Sequence, residues 1–342
     1  MEKPKLIQEQ IPLAPLTTLG VGGKASYFCV AETIDELREC VLWARSESLP
    51  ITCIGGGSNI LVQDDGVAGL VIQIAFSSRT YEERGDVVSV TVGAGVPFDA
   101  LVGETVTRGL WGLENLSAIP GTVGGVPIQN VGAYGVEACD VILSVEVFDR
   151  ALHTVTVLTN EQCQFAYRDS LFKHEGKDRY IVTAVTFVLS KIARPHLSYR
   201  DLQTRFGDAT HPSLLEIHEA VTLIRAGKFP DWHVLGTAGS FFKNPIVDRE
   251  THARIKVMYP DIPTYPEALG QNKVALGWIL DRILSLKGYR EGNVGLYEHQ
   301  ALVLVNHGGA TAHEISTFSE HITEKIFDAT GIHVAREVVV VK

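Results

Sequence analysis

Short runs rich in apolar and β-branched residues recur up to about residue 190, and polar turns separate them. The runs ITCIG, LVIQIA near Leu70, VVSVTVGAG near Val87 and YIVTAVTFVLS are typical of strands. VILSVEVFDR and HTVTVLT lie on either side of a short turn, which predicts a β-hairpin. The first part of the chain is therefore predicted to contain many short strands.

Helical periodicity interrupts these strands at two places. Thr33 and Glu36 have the spacing of a capping box, and apolar residues recur behind them at helical intervals as far as Ser48. Pro97 opens a second predicted helix, which ends near Gly109. Helices mixed with short strands predict an α+β fold.

The segment ARPHLSYRDLQTRFGDATHP, at residues 193–212, is polar and rich in turn residues, which predicts a junction between domains. Beyond it, Ser213 and Glu216 form a second capping box on LLEIHEAVTLIRAGK, and VALGWILDRILSL predicts another helix. ALVLVNHGG, a helix capped by Thr311 and Glu314, and HVAREVVVV then predict strand, helix and strand.

The composition is that of an ordinary globular protein of about two domains, with 342 residues and 45% apolar residues. The net charge is −10, and no run of basic residues occurs, so a nucleic acid or an anionic membrane is not expected as a partner.

No signal peptide and no membrane-spanning apolar segment is predicted. The five cysteines include no CxxC pair, which favours free thiols and a cytoplasmic location. The histidines show no metal-binding spacing, so no metal is expected.

Glycines cluster in the first part of the chain, where 19 of the 32 precede residue 136. They occur as GVGG, GGGSN, GAG and IPGTVGGVPIQNVGAYG, each near the end of a β-run. Glycine allows the backbone to approach a ligand closely and to direct N–H groups at anionic oxygens. Neither the Rossmann nor the P-loop pattern is present, so these turns predict a large phosphate-bearing cofactor on a different fold.

Four motifs in order, GGGSN, IPGTVGGVPIQNVGAYG, FAYRDSLFK and TAGSFFKNP, resemble UDP-N-acetylenolpyruvoylglucosamine reductase over nearly the whole chain. The resemblance implies an α+β protein with a two-lobed FAD-binding domain of the vanillyl-alcohol-oxidase type and a smaller α+β substrate-binding domain. The implied division is 1–75 and 76–212 for the FAD-binding lobes (about 17–191 for the FAD region as a whole) and 213–342 for the substrate domain, which ends in the strand carrying Glu337. SYRDL around Tyr199 is similar to the form with a tyrosine-bearing insertion.

The family reduces an enolpyruvyl ether on UDP-N-acetylglucosamine to a lactyl ether, with NADPH and FAD. Hydride from flavin N5 adds to the double bond, negative charge spreads into the substrate carboxylate, and a proton must reach the adjacent carbon. Such a site needs a positioned acid and a cation or donor on the carboxylate. The resemblance implies Ser240 as proton donor and Arg168 and Glu337 as stabilisers of the enolate. For Glu337, the roles of acid and of charge organiser both stay open.

The resemblance also implies contacts with the substrate and with FAD. The residues implied for the substrate are Tyr167, Tyr199, Lys228, Asn244, Lys287 and Gln300, with the role of Lys273 undecided. Those implied for FAD are Gly55, Gly56, Gly57, Ser58, Asn59, Ile119, Pro120, Gly121, Thr122, Gly124, Gln129, Asn130, Ala133 and Gly135. Since no histidine precedes His153, FAD is expected to be noncovalent.

Two other functions are compatible with parts of this pattern. A flavin oxidase of the same superfamily would not need the serine of TAGSFFKNP. A nucleotide-sugar-binding protein without turnover would have plain turns in place of the glycine cradle, and it would be colourless when purified.

Overall fold

The computed structural model describes residues 2–207 and 211–342. The chain forms two compact units built from interleaved segments. Unit 1 contains the chain up to Ile11, Ala25–Gly57 and Ala68–Ala226. Unit 2 contains Pro12–Lys24, Ser58–Val67 and Gly227–Lys342. The predicted division at residues 75 and 212 is linear along the chain, and it stays a prediction.

The described residues form strands and helices that are numbered here in chain order. The strands are β1 Gln8–Pro12, β2 Lys24–Ala31, β3 Ile51–Ile54, β4 Ile60–Val62, β5 Val67–Ile74, β6 Arg79–Arg84, β7 Val87–Gly93, β8 Gly132–Ala133, β9 Val136–Glu137, β10 Ile142–Asp149, β11 Thr154–Thr159, β12 Tyr180–Ser190, β13 Gly236–Ser240, β14 Ile246–Val247, β15 Thr264–Pro266, β16 Asn272–Val274, β17 Arg290–Glu291, β18 Val294–Leu296, β19 Val303–Asn306 and β20 Val339–Val341. The helices are α1 Ile34–Ser46, α2 Phe98–Thr107, α3 Arg200–Phe206, α4 Leu214–Lys228, α5 Arg249–Met258, α6 Leu276–Trp278 and α7 Ala312–Thr330.

Unit 1 contains two main sheets. One has four strands in the order β1-β2-β5-β3, and the other has five in the order β11-β10-β12-β7-β6. The strands of the five-stranded sheet are antiparallel, and β10 and β11 form the predicted hairpin. Apolar faces of these sheets bury a large core together with α1, α2 and α4.

Three helices of unit 1 begin where the sequence predicts. Thr33 accepts from the Glu36 amide and the Glu36 side chain bonds back to Thr33, which confirms the capping box of α1. Helix α2 starts directly after Pro97. Ser213 and Glu216 make the reciprocal bonds predicted at the start of α4. Each box satisfies amides that a helix start would otherwise leave unpaired.

Unit 2 contains an antiparallel sheet in the order β13-β19-β18-β17, a three-stranded sheet β14-β16-β15, and a parallel pair formed by β20 and β4. Helix α7 has the predicted capping box of Thr311 and Glu314 and ends at Gly331, whose φ is +66°. A second core lies between this helix and the sheets.

Three predictions of local structure need correction. Glu337 lies in a bend before β20 and not in the predicted strand. The helix predicted in VALGWILDRILSL is present at residues 276–283, but only α6 at its start is α-helical, and Ile279–Ile283 is π-helical. The segment predicted as a turn-rich junction contains α3. The part of that junction at residues 208–210 lies outside the described residues.

Among the described helices, none has the length and the apolar character needed to cross a membrane.

Candidate active site

Two of the glycine turns in unit 1 pack directly against each other. A Cβ on Gly55 would lie 2.3 Å from Thr122 Oγ1, and a Cβ on Gly56 would lie 2.9 Å from Gly121 Cα. Gly121 has a φ of +105°, which residues with a side chain rarely adopt. The turn after β3 can therefore pack this closely against the turn at residues 121–122 only because these positions are glycine.

The Thr122 hydroxyl shows that these turns fit a polar ligand. Its Oγ1 is buried, and within residues 2–207 and 211–342 it has no hydrogen-bond partner. A buried hydroxyl without a partner is costly, so a ligand that hydrogen-bonds to it would remove an existing penalty. The predicted FAD contacts Gly55, Gly56, Gly121 and Thr122 thus lie together around one unsatisfied polar atom. Gly57 also belongs to unit 1, whereas Ser58 and Asn59 belong to unit 2.

The second predicted FAD segment, residues 129–135, has an unusual backbone. Asn130 and Tyr134 have φ values of +45° and +50°, and Gly135 has +84°. Asn130 is fully buried, and its side chain donates to Glu137 Oε2 and Ala166 O and accepts from the Cys139 amide. These three bonds from the buried Asn130 side chain therefore stabilise the backbone conformation of residues 129–135. Gly124 lies tightly against Ala94, since a Cβ would come within 2.8 Å of the alanine methyl.

Arg168 lies at a tight turn of unit 1. Its φ is +53°, and its Nη2 donates to Gly132 O at 2.6 Å. The neighbouring Asp169 carboxylate lies 2.8 Å from His174 Nε2. The guanidinium is thereby held beside the strand that carries Ala133, another predicted FAD residue.

Three tyrosines accompany these residues in unit 1. The Arg168 guanidinium lies over the Tyr167 ring, 5.4 Å from its centroid. Tyr199 is 42% exposed and meets the buried Tyr134 edge to face, with centroids 5.2 Å apart. Burial raises the pKa of Tyr134 to about 12, so its hydroxyl keeps its proton at neutral pH.

Ser240 and Glu337 are brought together within unit 2 by backbone pairing. The Glu337 amide donates to Phe241 O at 2.8 Å, and the Lys243 amide donates to Ala335 O at 2.9 Å. Phe241 and Phe242 are buried in the core of unit 2, whereas Ser240 and Glu337 are only half-buried. The core thus anchors the two phenylalanines and leaves both polar side chains accessible.

The Arg336 side chain donates to Glu320 Oε1 and to Ser316 O, both in α7. Asn59 Nδ2 lies 3.4 Å from Glu337 O, and the Val339 amide donates to Asn59 O. Asn59, a predicted FAD contact, therefore also fixes the bend that carries Glu337.

The remaining predicted substrate contacts all lie in unit 2. Lys228 is the last residue of α4 and is half-buried. Asn244 Oδ1 accepts from the Leu276 amide, and Gln300 Oε1 accepts from the Leu302 amide at 3.4 Å. Lys287 lies 3.5 Å from Asp281, and Lys273 pairs with Glu267. Both Asn244 and Gln300 are oriented by backbone amides, while each of these two lysines already has a carboxylate partner.

Four side chains near the predicted FAD loop were missed by the sequence analysis. Ser117 Oγ lies 2.7 Å from His218 Nδ1, Asp99 Oδ1 accepts from the Ala118 amide, and Arg225 Nε donates to Ala118 O. His218 and Arg225 are seven residues apart and so share one face of α4. That spacing is visible in the sequence, but nothing in it indicates which loop the face meets.

The cavity identified in unit 1, with a volume of about 420 Å³, is lined by residues including Glu9, Tyr27 and Pro50. It contains none of the predicted site residues. None of its lining residues has a buried polar side-chain atom without a partner among the residues that the structure describes. The glycine turns around Thr122 are therefore the better candidate for a cofactor site.

Comparisons with known proteins find family matches in two regions of the chain. A family model described as an FAD binding domain matches residues 25–158, and one described as UDP-N-acetylenolpyruvoylglucosamine reductase, C-terminal domain, matches residues 231–341. The UDP-N-acetylenolpyruvoylglucosamine reductase of Chromobacterium violaceum is 40% identical over 332 residues, which cover 96% of each chain. That of Pseudomonas aeruginosa is 41% identical over 334 residues, 97% of this chain and 98% of its own. The crystal structure of the reductase from Thermus caldophilus is 28% identical with a TM-score of 0.69, and the match covers 98% of this chain and 99% of that one.

The FAD binding domain match and the glycine turns around a buried hydroxyl define a flavoprotein, with an FAD-binding domain followed by a smaller α+β domain. This confirms the predicted fold class and the predicted cofactor. Identity of about 40% over nearly the full length of both chains goes further. The chain belongs to the UDP-N-acetylenolpyruvoylglucosamine reductase family, which confirms the resemblance that the four motifs carry.

Proposed function

We propose that this protein reduces the enolpyruvyl ether of UDP-N-acetylenolpyruvoylglucosamine to the lactyl ether of UDP-N-acetylmuramate, a step of peptidoglycan precursor synthesis. NADPH is the reductant and FAD the noncovalent redox cofactor. The observation that carries the proposal is the near-full-length similarity to reductases of that name. The cytoplasmic location, the absence of a nucleic-acid or membrane partner, and the division into FAD-binding lobes and a substrate domain belong to the same proposal.

When bound, FAD supplies the hydride that adds to the double bond of the substrate. The residues of the chain must then manage the charge that develops on the substrate carboxylate and deliver one proton. We assign the proton to the Ser240 hydroxyl, which stands at the end of β13 next to two anchored phenylalanines. A hydroxyl is a weak acid, so it transfers a proton efficiently only where the acceptor carbon is strongly basic, as in an enolate.

Arg168 and Glu337 are proposed to organise the charge on the enolate. A guanidinium stays protonated throughout and bonds a carboxylate through two parallel N–H groups. The Arg168 bond to Gly132 O supports this role, because it orients the guanidinium before the substrate arrives. The Glu337 amide donates to the carbonyl of Phe241, the residue after Ser240, and this bond holds Glu337 near Ser240. That proximity supports either a proton relay to Ser240 or an electrostatic role for Glu337.

We expect Ser240→Ala to separate the two halves of the reaction. Reduction of the bound FAD by NADPH should proceed at the parent rate, whereas reoxidation by the enolpyruvyl substrate should slow by at least ~10²-fold, the lower scale for a positioned acid. Stopped-flow absorbance at the flavin bands measures both steps in turn. Ser316→Ala, a serine of α7 in the same unit, is the matched control and should change neither rate.

Equal slowing of both half-reactions in Ser240→Ala would count against Ser240 as the proton donor. Failure of NADPH to reduce the parent protein would count against the whole proposal and would favour an oxidase. A preparation without flavin absorbance would leave only the non-catalytic binding function.

A further inference from the structure

A turn at Ala118 connects the core of unit 1 to the predicted FAD residues 119–122. Ala118 has a φ of +57°, a left-handed conformation that alanine adopts only when its surroundings impose it. The Ala118 amide donates to Asp99 Oδ1, and its carbonyl accepts from Arg225 Nε at 3.1 Å. Both backbone groups of the strained residue are therefore bonded to side chains of helices, one from α2 and one from α4.

A third bond reaches the residue before the turn. Ser117 is fully buried, and its Oγ donates to Glu114 O at 2.6 Å. The same oxygen lies 2.7 Å from His218 Nδ1. A serine hydroxyl has a single proton, and Glu114 O receives it, so Ser117 must accept from His218. The imidazole therefore carries a proton on Nδ1, and it donates this proton to the serine.

We propose that His218 is a positioning residue for FAD, acting through the Nδ1–H bond to Ser117 that fixes the turn at Ala118 and the loop 119–122 behind it. The inference rests on the proposed function, since it takes these loop residues as the cofactor contacts. Within that loop, Thr122 holds a buried hydroxyl with no partner among the residues that the structure describes. A loop fixed in advance leaves less ordering to be done when the cofactor binds.

The test uses the difference between two amides at position 218. The side-chain nitrogen of asparagine occupies the place of Nδ1, while that of glutamine reaches the place of Nε2. His218→Asn should keep the bond to Ser117, and His218→Gln should lose it although it fills more of the volume of the ring. Titration of each apoprotein with FAD, followed by quenching of flavin fluorescence, gives the dissociation constants, and thermal unfolding of the apoproteins gives their stability.

We expect His218→Gln to weaken FAD binding roughly 3- to 10-fold, the change that corresponds to one neutral hydrogen bond. His218→Asn should bind FAD within about twofold of the parent, because it keeps that bond. Ser117→Ala removes this acceptor and also the donor to Glu114 O, so it should weaken binding at least as much as His218→Gln. Adding His218→Gln to Ser117→Ala should cause no further loss. His252→Gln is the matched control, since His252 Nε2 lies 3.1 Å from the Thr264 hydroxyl in unit 2, and it should leave FAD affinity unchanged.

Equal FAD affinity for His218→Asn and His218→Gln would overturn the positioning role, whatever their apoprotein stabilities. Additive losses in the Ser117→Ala double variant would overturn it as well. If the parent apoprotein itself does not bind FAD, the proposed function fails and takes this inference with it. Tight binding by the parent together with an unchanged affinity in His218→Gln rejects the inference alone.

Discussion

Asp149 shows how single residues of unit 1 stabilise a buried charge. The residue is 1% exposed and lies at the end of β10. Arg179 donates to Oδ2 through Nε and Nη2 at 2.9 and 2.7 Å, and the Ala151 and Leu152 amides donate to Oδ1. The bonds from Arg179 lower the pKa of Asp149, because they favour the charged form. A buried carboxylate with four donors is expected to stabilise the fold.

We expect Asp149→Asn to lower the free energy of unfolding by roughly 1.5–3 kcal/mol at neutral pH, the scale of hydrogen bonds to a charged group. A lowered pKa in the folded state means that this stabilisation is complete above the unfolded pKa, about 3.9. It is lost as the pH falls further, through the folded value. The difference between parent and variant should therefore shrink below about pH 4.

Urea unfolding at a series of pH values measures this difference. The exposed Asp178→Asn is the control and should be neutral throughout. A difference between the parent and Asp149→Asn that stays constant from neutral to acidic pH would contradict the assignment.

Motifs in the sequence located the candidate catalytic residues but not their geometry. Ser240 and Arg168 were predicted from TAGSFFKNP and FAYRDSLFK, and their roles stay predictions. The strand predicted for Glu337 was wrong, because the bend is set by the pairing of residues 335–337 with residues 241–243 and by Asn59. These partners are distant in sequence, and no local pattern reports them.

At the scale of elements, capping signals were the most reliable guide to the structure. The capping boxes of α1, α4 and α7 and the β10–β11 hairpin all depend on residues within a few positions of one another. Helix α3 was missed because it is only seven residues long and lies in a charged, turn-rich segment. The π-helical turn after α6 has no sequence signature, since its pattern is also that of an ordinary helix.

Helix α2 offers a paired test of backbone conformation. Gly103 lies inside the helix and Gly109 lies just beyond it with a φ of +72°, and a Cβ would meet nothing within 4 Å at either position. We expect Gly103→Ala to stabilise the protein by roughly 0.5–1 kcal/mol, because alanine loses less backbone freedom in a helix. Gly109→Ala should destabilise it by roughly 1–2 kcal/mol, the cost of a left-handed conformation with a Cβ.

Chemical denaturation of the two variants beside the parent measures these changes. Because neither position is crowded, opposite signs would isolate the effect of φ. Destabilisation by Gly103→Ala would show that packing around α2 is tighter than the structure indicates.

At the scale of the whole molecule, unit 2 is assembled from three separate segments of the chain. The Thr237 amide donates to Thr18 O at 2.9 Å, and Asn306 Nδ2 donates to Leu19 O at 2.9 Å. Leu19 and Leu61 are fully buried in the core of this unit. Residues 227–342 therefore pack against segments near the start of the chain, and the local hydrophobic pattern of the sequence does not predict these long-range contacts.

We expect residues 227–342, expressed alone, not to fold cooperatively. Without residues 12–24 and 58–67, β13 and β20 lose bonding partners and the apolar surface that covers Leu19 and Leu61 stays open. Such a fragment should bind the dye ANS and show no sharp thermal transition, as expected of a chain that has lost specific packing. The full chain is the control, and a sharp transition in the fragment alone would contradict the prediction.

The pairing of β4 with β20 also has a consequence for biosynthesis. Ile60 is aligned with Val339, so 279 residues must be added after β4 before its partner exists. At a translation rate of about 5–20 residues per second, this takes roughly 14–56 s. During that interval Leu61 and its neighbours in β4 lack the parallel strand that pairs with them in the folded chain.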